Sequence, residues 1–125
     1  MIPVHDDIET GLSFFIQRQL RRAERENFSA IVLEINSNGG LVTAAQEIKD
    51  ALLRSKVTTI AYIKGRALSA AALIAISCHR IYMEAGSELG AATPIMLAGG
   101  GVHAAEAKYV SAFKAEFRAS AEARK

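Results

Sequence analysis

The hydrophobic residues of this chain change their period along its length, and that alternation limits the possible folds more than any other feature. Residues 2–4, the run AIVLEI at 30–35, TTIAYI at 58–63 and Arg80–Met83 are short apolar or β-branched stretches of strand type. Segments with helical spacing separate them. Residues 11–26 set Leu12, Phe15, Ile16, Leu20 and Ala23 on one face, with Arg and Glu opposite. Residues 41–53 turn Leu41, Ala44, Ala45, Ile48, Ala51 and Leu52 inward in the same way. ALSAAALIAIS at 67–77 is small and apolar all round, the pattern of a helix buried on every side. Strands separated by helices of this length predict an α/β domain with a mostly parallel sheet flanked by helices on both sides and right-handed crossovers. The consecutive glycines 99–101 predict a loop, and a last helix is expected from about Ala104.

A length of 125 residues suits one domain, and a hydrophobic content of 50% suits a real core. With aromatics at only 6%, that core is built from Ala, Ile, Leu and Val. The 15 basic and 13 acidic residues leave a net charge of +2, which selects no class of partner. Arg18, Arg21, Arg22 and Arg25 are interrupted by Glu24 and Glu26 and interleave with no exposed aromatics. They read as a solvated helix face, not as a nucleic-acid groove, so no nucleic-acid partner is expected. Cys78 is the single cysteine, so no internal disulfide forms, and no Cys and His set has zinc spacing. No metal or other cofactor is expected. No run reaches the roughly 18 apolar residues of a membrane span, and no signal-peptide pattern opens the chain. Residues 106–125 read as helix to the last position with no Gly, Pro or Asn stop, which predicts a domain cut from a longer protein.

In open parallel sheets, chemistry gathers beyond the carboxyl ends of the strands. Two stretches fall there: NSNGG at 36–40 and KGRALSA at 64–70. Glycines after a strand permit close backbone approach, and their N–H groups can converge on a developing oxyanion. Gly39 and Gly40 also suit an ordinary turn. They are not a dinucleotide fingerprint, and no GxxxxGK[ST] run is present. Ser69 opens an otherwise apolar helix, where free N–H groups and the helix dipole stabilise an anionic intermediate. That position suits a helix cap as well as a nucleophile. The histidines His5, His79 and His103 have no neighbours that select any of them as a base, and the G-x-S-x-G elbow of α/β-hydrolases is absent. Lys108 follows Ala104, Ala105 and Ala107, surroundings in which burial would lower a lysine pKa, although a surface lysine fits equally well. Cys78 and His79 are adjacent and point apart, so Cys78 reads as a buried inert thiol.

Taken together, IPVHDDIETGL, AIVLEINSNGGLVTAAQEI, VTTIAYIKGRALSAAALIAISCHRIYM, GSELGAATPI and AEAKYVSAFKAEFRA resemble the protease domain of the NfeD family, the stomatin-operon partner proteases. The likeness covers essentially all 125 residues. The resemblance implies a ClpP/crotonase-like fold of the ClpP and signal-peptide-peptidase-A class, and a Ser-Lys dyad. By similarity Ser69 is the nucleophile and Lys108 its base. Gly40 and Ala70 then supply the oxyanion N–H groups, and Gly39 shapes the turn. The resemblance implies that Gly usually stands two residues after the serine, where this chain has Ala71, whose methyl is expected to lie near the nucleophile. The resemblance further implies hydrophobic peptide substrates, a stomatin-like membrane partner, a homo-oligomer and an extracytoplasmic or periplasmic domain of a membrane protein. Two other readings stay open on the residues themselves: a crotonase-like acyl-CoA enzyme, and a catalytically silent scaffold of a membrane complex.

Overall fold

The computed structural model describes residues 1–90 and the backbone of two further strands at 95–98 and 101–104. The order is β1 (Ile2–Ile8), α1 (Thr10–Arg25), β2 (Ala30–Gly40), α2 (Val42–Arg54), β3 (Thr58–Leu68), α3 (Ala70–Ser77), β4 (Arg80–Met83), β5 (Glu88–Gly90), β6 (Ile95–Ala98) and β7 (Gly101–Ala104). Strands β1-β2-β3-β4 form one sheet in sequence order, and β5 adds to β3 beyond β4. Every pairing in that sheet is parallel. The mostly parallel α/β architecture is therefore as the residue pattern predicts.

Each helix has a local cause. The Glu9 carboxylate caps α1, accepting the N–H groups of Gly11 at 2.8 Å and Leu12 at 2.7 Å. Its buried stripe is Ser13, Ile16, Leu20 and Ala23. Phe15, expected on that stripe, is 41% exposed instead. It sits one residue, about 100° of rotation, away from Ile16, and so falls off the stripe. Leu41 is likewise not inward: it is the N-cap of α2 and 52% exposed. Ala44, Ala45, Ile48 and Leu52 carry the α2 face that packs on α1 and α3. α3 is buried at seven of its residues, as its small apolar composition predicts, but it begins at Ala70. Ala67 and Leu68, expected in the helix, complete β3.

The core lies between the sheet and this helix layer. Val4 and Ile8 from β1, Leu33 and Ile35 from β2, and Ala61 and Ile63 from β3 meet Ile16, Ile48, Leu52, Leu73 and Ile74. Full burial of each large aliphatic side chain stabilises by about 1.5–3 kcal/mol. β6 and β7 pair antiparallel, with Ala98 opposite Gly101 and Ile95 opposite Ala104. Gly101, expected in the loop, opens β7, and Ala104 belongs to a strand and not to a helix start; Gly99 and Gly100 lie outside the described residues. The expected last helix at 106–125, and Lys108 within it, lie outside the described residues.

One level of the sheet departs from regular pairing. β1 pairs His5 with Asn36 and resumes at Asp7 with Gly39. β2 pairs Ile35 with Ile63 and resumes at Ser37 with Ala67. β1, β2 and β3 therefore slip at the same height, near their carboxyl ends. β-bulges of this kind bend strands and re-aim side chains. Asp6 accommodates the slip with φ 63, a conformation that Asp tolerates better than most residues.

Candidate active site

Ser69 stands between the end of β3 and the start of α3, at the carboxyl edge of the sheet. Its N–H donates to Gly90 O on β5 at 3.1 Å, which ties this junction to the neighbouring strand. The backbone angles are φ 54 and ψ −122, a region that L-residues with a Cβ rarely occupy. Ser69 holds the N-cap position, yet its side chain makes no capping hydrogen bond. Its hydroxyl therefore does not do the job that a helix-start serine ordinarily does. This strand–serine–helix turn has the sharpness of a nucleophile elbow without the G-x-S-x-G motif. Small neighbours make it possible: Ala67, Ala70 and Ala71 are all fully buried beside it.

Gly39 is brought directly against Ser69. A Cβ built on Gly39 would lie 3.1 Å from Ser69 Cβ, 3.3 Å from Leu68 O and 3.5 Å from Ala70 N, at a φ of +124. Only glycine meets both demands. Gly40 is pressed against β1, where a Cβ would come within 2.3 Å of Ile8 O and 2.5 Å of Ile8 N. The glycine pair and the serine, distant in sequence, thus share one site. Ala70 is the first residue of α3, so its N–H has no carbonyl to bond within the helix. Ala71, the second, is buried in the core.

The other candidates are placed elsewhere. His79 Nδ1 accepts Thr59 N–H at 3.0 Å and lies 3.0 Å from Thr59 Oγ1, next to the start of β3. Ser69 follows the far end of that strand, whose 11 residues span about 30 Å. His79 is structural. His5 Nε2 lies 3.3 Å from the Glu34 carboxylate. Cys78 is buried with its Sγ 3.6 Å from Ile74 O, as expected of an inert thiol. The side chain of His103 lies outside the described residues.

Residue pattern alone did not point to the cleft beside the glycines. Asp6, Asp7, Asn36, Ser37, Asn38 and Arg66 line a polar cleft of about 470 Å³. Asp7 is opposite Gly39 in the β1–β2 register, so the cleft borders the glycine turn. Ser37 is its buried member: its hydroxyl donates to Asp6 O and accepts Gly39 N–H at 3.1 Å. The bulges create this arrangement, and bulges leave no periodic signal in sequence. Among the described residues, no group of three or more His, Cys, Asp and Glu could hold a metal ion.

Over residues 1–125 the chain matches the family described as NfeD1b, N-terminal domain. It belongs to that family. Membrane protein NfeD1b of Bacillus subtilis is 38% identical over 121 residues, covering 97% of this chain and 27% of that protein. A membrane-bound protease of Pyrococcus horikoshii is 34% identical over 82 residues, covering 63% of this chain and 19% of that protein. The chain thus spans about a quarter or less of the length of these relatives. The N-terminal part of a membrane-bound stomatin-specific protease, solved as a serine-to-alanine variant, superposes with a TM-score of 0.89 at 27% identity. That match covers 97% of this chain and 61% of the other. A lysine-to-alanine variant solved with a substrate peptide gives 0.88 at the same identity, over 97% of this chain and 57% of that one. ClpP1 of Listeria monocytogenes matches less fully, with a TM-score of 0.59 over 62% of this chain and 45% of its own. The NfeD1b fold of this chain is thus nearer to the stomatin-specific protease than to ClpP1. Among the described residues, no helix is long and apolar enough to cross a membrane.

Proposed function

We propose that this NfeD1b domain is a serine endopeptidase in which Ser69 attacks the scissile carbonyl and Lys108 is the general base. The observation that carries the reading is Ser69 itself. It is held in a strained conformation at a helix start, makes no capping bond, and lies against Gly39. A protein keeps such strain where geometry serves chemistry.

In the proposed reaction, neutral Lys108 takes the Ser69 hydroxyl proton as Oγ bonds to the peptide carbon. The N–H groups of Gly40 and Ala70 receive the negative oxygen, and Gly39 and Ala71 shape the turn that presents them. Lys108 then passes the proton to the leaving amine as the C–N bond breaks. Water, deprotonated by the same lysine, hydrolyses the acyl-enzyme. Replacement of a serine and of a lysine in the solved variants of the stomatin-specific protease supports the dyad. The superposition on ClpP1 supports a ClpP/crotonase-like ancestry for the fold.

The substrates proposed are apolar peptide segments, including those of a stomatin-like membrane partner, after the specificity in the relative's name. Leu41, 52% exposed directly after Gly40, offers such a segment an apolar contact. A homo-oligomeric assembly and an extracytoplasmic or periplasmic location, as one domain of a longer membrane protein, complete the proposal. The test compares cleavage of an apolar peptide by the wild type, Ser69→Ala and Lys108→Ala, with labelling of Ser69 by a serine-directed phosphonate. Loss of cleavage in both variants and of labelling in Ser69→Ala is expected. Equal background rates in all three proteins refute the dyad.

A further inference from the structure

Ser37 is buried to 3% exposure at the level where β1, β2 and β3 slip. Beyond the slip, β1 and β2 pair again at Asp7 and Gly39, and the Ser37 hydroxyl sits at this junction. It donates to Asp6 O, accepts Gly39 N–H at 3.1 Å, and approaches Gly39 O at 3.3 Å. One side chain thereby clasps the β1 bulge to the peptide group that carries Gly39 N–H.

That clasp has a directional consequence. Holding Gly39 by its N–H sets that residue with its O beside Ser37 Oγ. Because a trans peptide points its C=O and N–H in opposite directions, this also sets where Gly40 N–H points. Leu41 N–H donates to Ile8 O at 2.9 Å, so the Leu41 N–H faces β1. Successive N–H groups of an extended strand face opposite edges, which turns Gly40 N–H away from β1, towards β3 and Ser69. The Gly39 N–H is already occupied by Ser37 and is not free to serve an oxyanion. Resting on the proposed hydrolase reading, we propose that Ser37 is a positioning residue that aims the Gly40 N–H at the oxyanion formed when Ser69 attacks.

The test uses the full chain with Ser37→Ala, Ser37→Cys and Ser37→Thr. Thr retains the hydroxyl, Ala removes it, and Cys keeps the size but replaces it with a weak donor and acceptor. The measurements are kcat and KM on an apolar peptide, and the Kd of a peptide boronic acid, whose adduct with Ser69 carries the tetrahedral anion. The parent peptide serves as the ground-state comparison. Full loss of one oxyanion donor lowers kcat by about 10²–10³-fold. Misalignment is expected to cost at least about tenfold in kcat and in boronate affinity for Cys and Ala, with KM and parent-peptide affinity within about threefold. Thr is expected to stay within about threefold of wild type throughout. A Ser37→Cys protein that matches wild type in kcat and boronate affinity overturns the assignment, whether or not Ser37→Ala folds. A variant that loses boronate and parent peptide equally overturns it as well, because the effect is then general. A wild type that neither cleaves peptide nor takes boronate or phosphonate at Ser69 removes the hydrolase reading and this inference together.

Discussion

Replacing Ser69 by glycine should make this protein more stable while removing its proposed nucleophile. The backbone at φ 54 and ψ −122 is open to glycine and strained for any residue with a Cβ. Relief of that strain is worth about 1–3 kcal/mol, centrally about 2. Glycine also frees the unfolded chain, which costs about 0.4–1 kcal/mol. No capping hydrogen bond is lost, because the Ser69 side chain makes none. The net gain is about 1 kcal/mol, which for a chain of this length raises Tm by roughly 4 °C. Ser69→Ala keeps the Cβ and so keeps the strain, and its stability should stay within about 0.5 kcal/mol of wild type. Reversible urea unfolding of the three proteins, followed by circular dichroism, measures both differences. If Ser69→Gly unfolds at lower urea than Ser69→Ala, the serine is not strained and the argument from its backbone to a nucleophile fails. Strain held at a reacting residue is a common form of the trade between stability and activity.

Gly40→Ala should be severe, since its methyl would meet Ile8 backbone atoms at 2.3 and 2.5 Å and force β1 from β2. A loss of about 3 kcal/mol is expected in the same unfolding assay. Gly86→Ala, which meets nothing within 4 Å, should lose only about 1 kcal/mol from its positive φ. His79→Ala should leave the buried Thr59 N–H without its acceptor, lowering stability by about 1–3 kcal/mol with peptide cleavage unchanged. Ala71→Gly removes a methyl that α3 packs into the core. It should lose about 1 kcal/mol in stability and gain nothing in cleavage rate.

The layered α/β architecture was legible because burial imposes a period. Leu33 and Ile35, Ala61 and Ile63, and Ile16, Leu20 and Ala23 are buried at strand or helix spacing, and each stands out in the chain itself. Phe15 and Leu41 were misplaced because hydrophobicity reports what a side chain prefers. Their positions were set by the stripe that Ser13, Ile16, Leu20 and Ala23 share and by the cap of α2. The pairing of β6 with β7 is not legible for a related reason. Three consecutive glycines read as a loop in the sequence, and β7 begins on the last of them, Gly101.

The site was legible only in part, and the division follows the range of the interactions. Gly39, Gly40 and Ser69 stand out because each has a local requirement: a close approach or a turn that few residues satisfy. Ser37 has no such mark. Its role depends on Asp6, 31 positions away in sequence, and on strand slips that arise only when β1, β2 and β3 pair. The same slip that brings the Ser37 hydroxyl to the Asp6 carbonyl carries Asp7 opposite Gly39 and borders the polar cleft. A hydroxyl at Ser37 therefore answers a need created by the sheet, and the sheet in turn fixes the glycine peptide that faces Ser69. If that peptide must point one way for an oxyanion to form, stability and chemistry select the same hydroxyl, and Ser37→Cys is the substitution that separates them.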